Sequence, residues 1–170
     1  MIINVRFFLT CICIFFSSLL HSDNDIENNL HGYWSCSNYS ELEDYNILEI
    51  YNLKFEHKKS YQNGIMHFVN LDGEAIVKYN LINEFIVDEN DLVFKNTKVL
   101  NHSIDNVVFD DKYKVSDIFR DTSSDVQVAY KIELITNSEL VYKSKDIDFE
   151  WLSIKSKCQK VNDEKDLPVF

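Results

Sequence analysis

Glycine and proline are scarce, with three Gly and one Pro in 170 residues. No linker-like or low-complexity stretch and no internal repeat divides the chain, so it reads as one domain. So few glycines leave most turns to Asn and Asp, which tolerate left-handed backbone better than other residues. Positive charge is also short: 17 Lys and Arg stand against 28 Asp and Glu, a net charge of −11. Such a surface repels phosphate backbones and carries no basic stripe, which argues against nucleic acid as a partner. Motifs of chemistry are missing as well. There is no Cys-x-x-Cys or His-x-x-x-His pattern for zinc and no Gly-x-Ser-x-Gly elbow for a serine nucleophile. His57, His67 and His102 fall on separate segments. The paired acids Glu41-x-Glu43 and Asp146-x-Asp148 sit in polar turns, where carboxylates are solvated. The expectation is a protein without metal or cofactor, and not an enzyme.

What is present begins with MIINVRFFLTCICIFFSSLLHSDND, a basic Arg6 followed by a mostly apolar run over residues 7–20. This pattern reads as a secretory signal peptide cut after Ser22. The run is shorter than the ~20 residues of a membrane-spanning helix, so no stable anchor is expected after cleavage, and the product is expected to be secreted or periplasmic. Losing Arg6 takes the net charge from −11 to −12. Of four cysteines, Cys11 and Cys13 leave with the signal, and Cys36 and Cys158 remain. Two cysteines in an oxidising compartment suggest one disulfide, the alternative being two buried thiols. The expected boundaries are a signal over 1–22, a polar lead-in over 23–29, a domain over 30–161 and a tail over 162–170.

From residue 30 onward the hydrophobic pattern alternates. In NILEIYNLKFEH, Ile47, Glu49, Tyr51, Leu53 and Phe55 share one face and Leu48, Ile50, Asn52 and Lys54 the other, as in a strand. KSYQNGIMHFVNL, GEAIVKYNLINEFIV, DLVFKNTKVL, DVQVAYKIELIT, SELVYKS and DIDFEWLSIKSKC behave alike, separated by short turns such as Leu71-Asp72-Gly73. Asn63-Gly64 is either a hairpin turn or a bulge. Residues 102–124 break the rhythm, and DKYKVSDIFRD within them suggests a short helix presenting Tyr113, Val115, Ile118 and Phe119. About eight hairpin-linked strands imply an all-β fold: an eight-stranded up-and-down antiparallel barrel with a short helical insertion, or else an open sandwich. In a barrel the first and last strands are neighbours, which makes Cys36 and Cys158 bridgeable.

Gly32-Tyr33-Trp34 at the head of the first strand, followed by hairpins, resembles the calycin superfamily of lipocalins and fatty-acid-binding proteins. Leu30-x-Gly32-x-Trp34-x-Cys36 with a late Cys158 is similar, more closely, to exported bacterial lipocalin-like domains, over residues 30–161. Gly32, Trp34, Cys36 and Cys158 are then structural: Gly32 lets the chain turn sharply into the barrel, and Trp34 stoppers one end. The resemblance implies a basic residue of the last strand over Trp34, for which Lys155, Lys157 and Lys160 are the candidates. The Thr-Asp-Tyr motif of lipocalins and the Arg-x-Tyr clamp of fatty-acid binders are missing.

The remaining signal is aromatic: 12 Phe, 9 Tyr and 2 Trp, including Trp151. A barrel of this size is filled by its own side chains or holds one small ligand. The expected ligand wall is Tyr51, Phe55, Phe68, Tyr79, Phe94 and Tyr130, with Phe109, Tyr113 and Phe119 of the insertion as a lid. The expected function is non-covalent binding of a small, partly apolar molecule. The alternative is a protein-interaction module, such as an exported inhibitor that presents acidic loops to a basic partner. Two Asn-x-Ser sequons, at Asn38 and Asn101, are no more than composition supplies.

Overall fold

The computed structural model describes residues 23–120, 127–145 and 154–170. The expected signal over 1–22, the end of the insertion over 121–124, and the Asp146-x-Asp148 and Trp151 region over 146–153 lie outside them. Eight strands follow the alternating runs: β1 (Gly32–Glu41), β2 (Asn46–Glu56), β3 (Lys59–Asn70), β4 (Gly73–Asp88), β5 (Asp91–Ile104), β6 (Val128–Ile135), β7 (Glu139–Ser144) and β8 (Lys155–Val161). Each is antiparallel to the next, and β1 pairs with β8, so the sheet closes into a barrel in simple meander order. The sandwich alternative is thereby removed. In the β1–β8 ladder Cys36 lies opposite Cys158, and a disulfide joins them across 122 residues of sequence.

Alternation sorts the side chains as the period of two requires. Trp34, Cys36, Asn38 and Ser40 of β1 point inward, as do Glu49, Tyr51, Leu53 and Phe55 of β2. Turn chemistry departs from the expectation that Asn and Asp would carry it. Among the described residues the non-glycine positions with left-handed backbone are His57, Lys58, Glu89, Asn96 and Lys114, a single Asn among them. The two-residue hairpin between β2 and β3 demands this backbone whatever its residues, and the paired strands on either side hold it. Asn63-Gly64 is neither turn nor bulge: β3 runs through it with unbroken register to β2 and β4. A Cβ at Gly64 would stand 2.5 Å from the Ile50 carbonyl oxygen and 2.5 Å from the Tyr51 Cβ. Glycine is there because β2 presses directly on β3.

Both ends of the barrel are covered. The polar lead-in is a helix, α1 (Asp23–Leu30), whose Ile26 and Leu30 are buried beneath the end from which β1 starts. There Gly32 takes φ 115°, and the buried Trp34 donates from Nε1 to the Leu30 carbonyl at 2.7 Å. Lys160 is the lysine that covers Trp34: its Nζ lies 4.9 Å from the ring and donates to the Asn29 carbonyl at 2.9 Å. The opposite end carries the β1–β2 and β3–β4 connections and the insertion.

The insertion contains two helices rather than one: α2 (Val107–Tyr113) and α3 (Asp117–Arg120). Asn106 caps α2 by accepting from the Phe109 amide at 3.0 Å, which starts the helix ahead of the expected segment. Lys114 then turns left-handed, and the Asp110 carboxylate captures both the amide and the hydroxyl of Ser116, at 2.8 and 2.6 Å. These bonds end α2 where the sequence pattern runs on. Residues 162–170 lie along the outside of β1 and β2, held where Asn52 donates to the Pro168 carbonyl at 2.7 Å.

Candidate functional site

Cross-strand partners in an antiparallel ladder point to the same face, so the registers define inward-facing rungs. One rung holds Cys36, Tyr51, Gly64, Tyr79 and His102. The next toward the insertion holds Asn38, Glu49, Met66 and Val77, and the one above it Ser40, Ile47, Phe68 and Ala75. Glu49 is therefore a carboxylate inside the barrel, two rungs below the mouth, and only 7% exposed.

Three donors converge on it. Asn38 donates from Nδ2 to Oε2, and the Tyr79 hydroxyl donates to Oε1. Gln62 donates from Nε2 to Oε1 at 3.3 Å and to the Tyr79 hydroxyl at 2.8 Å. Burial pushes the Glu49 carboxyl above its ordinary value, and the bonds from Tyr79 and Asn38 draw it partway back. Among the described residues no Lys, Arg or His forms an ion pair with it. The sequon at Asn38 is accounted for by this buried bond.

Tyrosines surround the carboxylate. The Tyr51 and Tyr142 hydroxyls meet at 2.5 Å and share Ser156. Burial drives Tyr51, Tyr79 and Tyr142 well above the usual phenol range. Tyr130 is pushed up to about 12, by burial first and then by the charge of Glu49. All four are neutral near pH 7, and Tyr79 donates its hydroxyl to Glu49. Below them the rings form a continuous chain: Phe85 to Phe55 at 4.9 Å, Phe55 to Phe94 at 6.2 Å, Phe94 to Tyr130 at 5.7 Å and Tyr130 to Tyr142 at 5.2 Å.

Above Glu49 the mouth is aromatic. Tyr45 packs edge-on to Phe68 at 5.4 Å and to Tyr113 at 6.0 Å, and Phe119 stacks on Tyr79 and on His102, both at 5.5 Å. Lys112 and Tyr113 both donate to the Asp72 carboxylate and clasp α2 to the β3–β4 turn. The Ser40 hydroxyl, 7% exposed and one rung above Glu49, has no hydrogen-bond partner. A cavity of about 380 Å³ opens at the β1–β2 connection, lined among the described residues by Leu42, Glu43, Asp44 and Tyr45.

All six wall residues expected from the sequence face inward, in two groups. Phe55, Phe94 and Tyr130 belong to the ring chain, which Tyr51 joins through the Tyr142 hydroxyl, while Phe68 lies one rung above Glu49 and Tyr79 one rung below it with its hydroxyl on the carboxylate. Phe109 and Phe119 are buried and Tyr113 half-buried. Sequence reasoning passed over Glu49, Asn38, Ser40 and Tyr142. The signal for Glu49 was available, because an acid occupied the middle of an otherwise apolar face. His57 is solvent-exposed and His67 pairs with Glu74 at 2.7 Å, partly exposed at the surface. Among the described residues no group of three or more His, Cys, Asp or Glu is placed to hold a metal ion.

No protein-family model matches the chain, and no curated protein matches it. The site must therefore be read from its own chemistry. Inward-facing aromatic rings with hydroxyl groups and one buried carboxylate are the chemistry that suits a molecule with an apolar body and a polar handle.

Proposed function

We propose that the chain is an exported lipocalin-like carrier that binds one small, partly apolar molecule non-covalently at the mouth of its barrel. The observation that carries this reading is Glu49: a carboxylate held among aromatic rings with no cation beside it among the described residues. A purely structural core is poorly served by such a group, since burying an ionisable carboxyl without a counter-charge costs stability even when it is hydrogen-bonded. A binding site uses it to orient a guest. Two further features support the reading. The insertion places Phe109, Tyr113 and Phe119 over the mouth, and its attachment through Asp72 is a side-chain clasp on an exposed turn. Export is supported by the apolar leader and by the Cys36–Cys158 bond, which persists in oxidising compartments.

The test is native mass spectrometry of the oxidised protein from its own host, with titration of the neutral fluorophore N-phenyl-1-naphthylamine. A one-to-one small-molecule adduct is expected, together with saturable fluorophore binding that Phe68→Ala weakens several-fold. Absence of both adduct and fluorophore binding would overturn the carrier reading.

A further inference from the structure

We propose that the guest carries a protonated amine, seated between the Glu49 carboxylate and the Ser40 hydroxyl with its apolar body among Tyr45, Phe68 and Phe119. This inference rests on the carrier reading and names the chemistry of its ligand.

The placement follows from which bonds are already made. Asn38 of β1, Gln62 of β3 and Tyr79 of β4 all donate to Glu49, so its described neighbours bring it hydrogen bonds and no positive charge. An ammonium group brings three donors and a positive charge, whereas a carboxylate only accepts. The free hydroxyl of Ser40, on the rung between Glu49 and the mouth, supplies a second acceptor on the same side. His102 faces inward from β5 opposite Tyr79, but its ring stacks on Phe119 and forms no ion pair with Glu49. The tyrosines that face the carboxylate from β2, β4, β6 and β7 are neutral and add no charge.

The approach has the same sign. The cavity of about 380 Å³ at the β1–β2 connection is lined, among the described residues, by Glu43 and Asp44 alongside Leu42 and by Tyr45, whose ring packs on Phe68. An anionic guest would meet carboxylates of its own sign both at the β1–β2 connection, Glu43 and Asp44, and inside the barrel, Glu49. A neutral guest would leave the buried charge unpaired. A cation gains at each stage, and electron-rich ring faces of the kind gathered here favour it further.

The experiment is isothermal titration of the oxidised protein at pH 7 with three probes of matched size: phenethylamine, 3-phenylpropan-1-ol and 3-phenylpropionate. The amine is expected to bind at least about tenfold more tightly than the alcohol, with the propionate weakest, as a charge-assisted hydrogen bond requires. Glu49→Gln should bring the amine down to the level of the alcohol, and Ser40→Ala should weaken the amine several-fold while sparing the alcohol. If Glu49→Gln does not fold, the probe ranking and Ser40→Ala decide the question. An alcohol or propionate that matches the amine overturns the inference, as does a folded Glu49→Gln that keeps the amine preference. If the neutral fluorophore binds but no amine preference appears, the inference falls and the carrier reading stands. If none of the three probes nor the fluorophore binds, both fall.

Discussion

At Gly64 a missing side chain lets two strands touch. A methyl group there would meet backbone and Cβ atoms of Ile50 and Tyr51 that have no room to retreat. Gly64→Ala should destabilise the barrel by about 1–3 kcal/mol, the usual cost of overpacking, read as a lowered urea midpoint; an unchanged midpoint would contradict this packing. Glu49 makes a second residue-scale prediction. Burial raises its pKa above the ordinary 4.5, so the native state keeps the proton to higher pH than the unfolded chain. Between 4.5 and the raised value, stability therefore falls as pH rises, and above that value the loss is complete. The stability of wild type relative to Glu49→Gln should accordingly increase on acidification from pH 7 toward pH 4.5 in urea unfolding, and a flat difference would refute the assignment. The inward orientation of Glu49 was legible from the strict alternation of NILEIYNLKFE, with no bulge in β2 to reverse it. Its partners were not, because Asn38, Gln62 and Tyr79 lie on three strands and only the register brings them together.

Among the elements, the strands were legible because half-buried sheets impose a period of two on composition. The coverings at the two ends were less so. The segment preceding β1 reads as polar because only Ile26 and Leu30 of α1 are buried, and nothing local reveals that the barrel end needs a stopper. Likewise, the break between α2 and α3 depends on Asp110 reaching forward to Ser116, a side-chain bond that overrides helical periodicity. The clasp at Asp72 gives a prediction at this scale. Hydrogen bonds from Lys112 first, and then Tyr113, hold the Asp72 carboxyl below its ordinary 3.8, so the clasp is intact at neutral pH and is lost only as pH falls through that depressed value. Asp72→Asn should speed release of bound N-phenyl-1-naphthylamine several-fold in stopped-flow fluorescence, with little change in Tm. Unaltered release would show that α2 does not gate the mouth.

For the whole molecule, closure was legible from two facts combined: hairpin-linked strands make first and last neighbours, and Cys36 and Cys158 lie one in each. The β1–β8 seam is a short ladder, from Tyr33–Val161 to Ser37–Lys157, and the disulfide sits within it. Cross-linking a loop of this length removes denatured-state entropy worth on the order of 4–5 kcal/mol. A Cys36→Ser, Cys158→Ser double variant should lose about that much in urea unfolding; a change below about 1 kcal/mol would mean that the seam holds without its bond. The seam matters because it keeps the rungs in register, and the rungs bring the donors of β1, β3 and β4 onto a single acid of β2.

The most direct measurement is a 13C-detected NMR titration of the Glu49 side-chain carboxyl in the oxidised, ligand-free protein. A buried carboxylate with no cation among its described neighbours should titrate above the ordinary glutamate value of 4.5 and shift downward when phenethylamine is added. A carboxyl that titrates at the ordinary value and ignores the amine would place Glu49 in solvent and contradict both the enclosed site and the guest assigned to it.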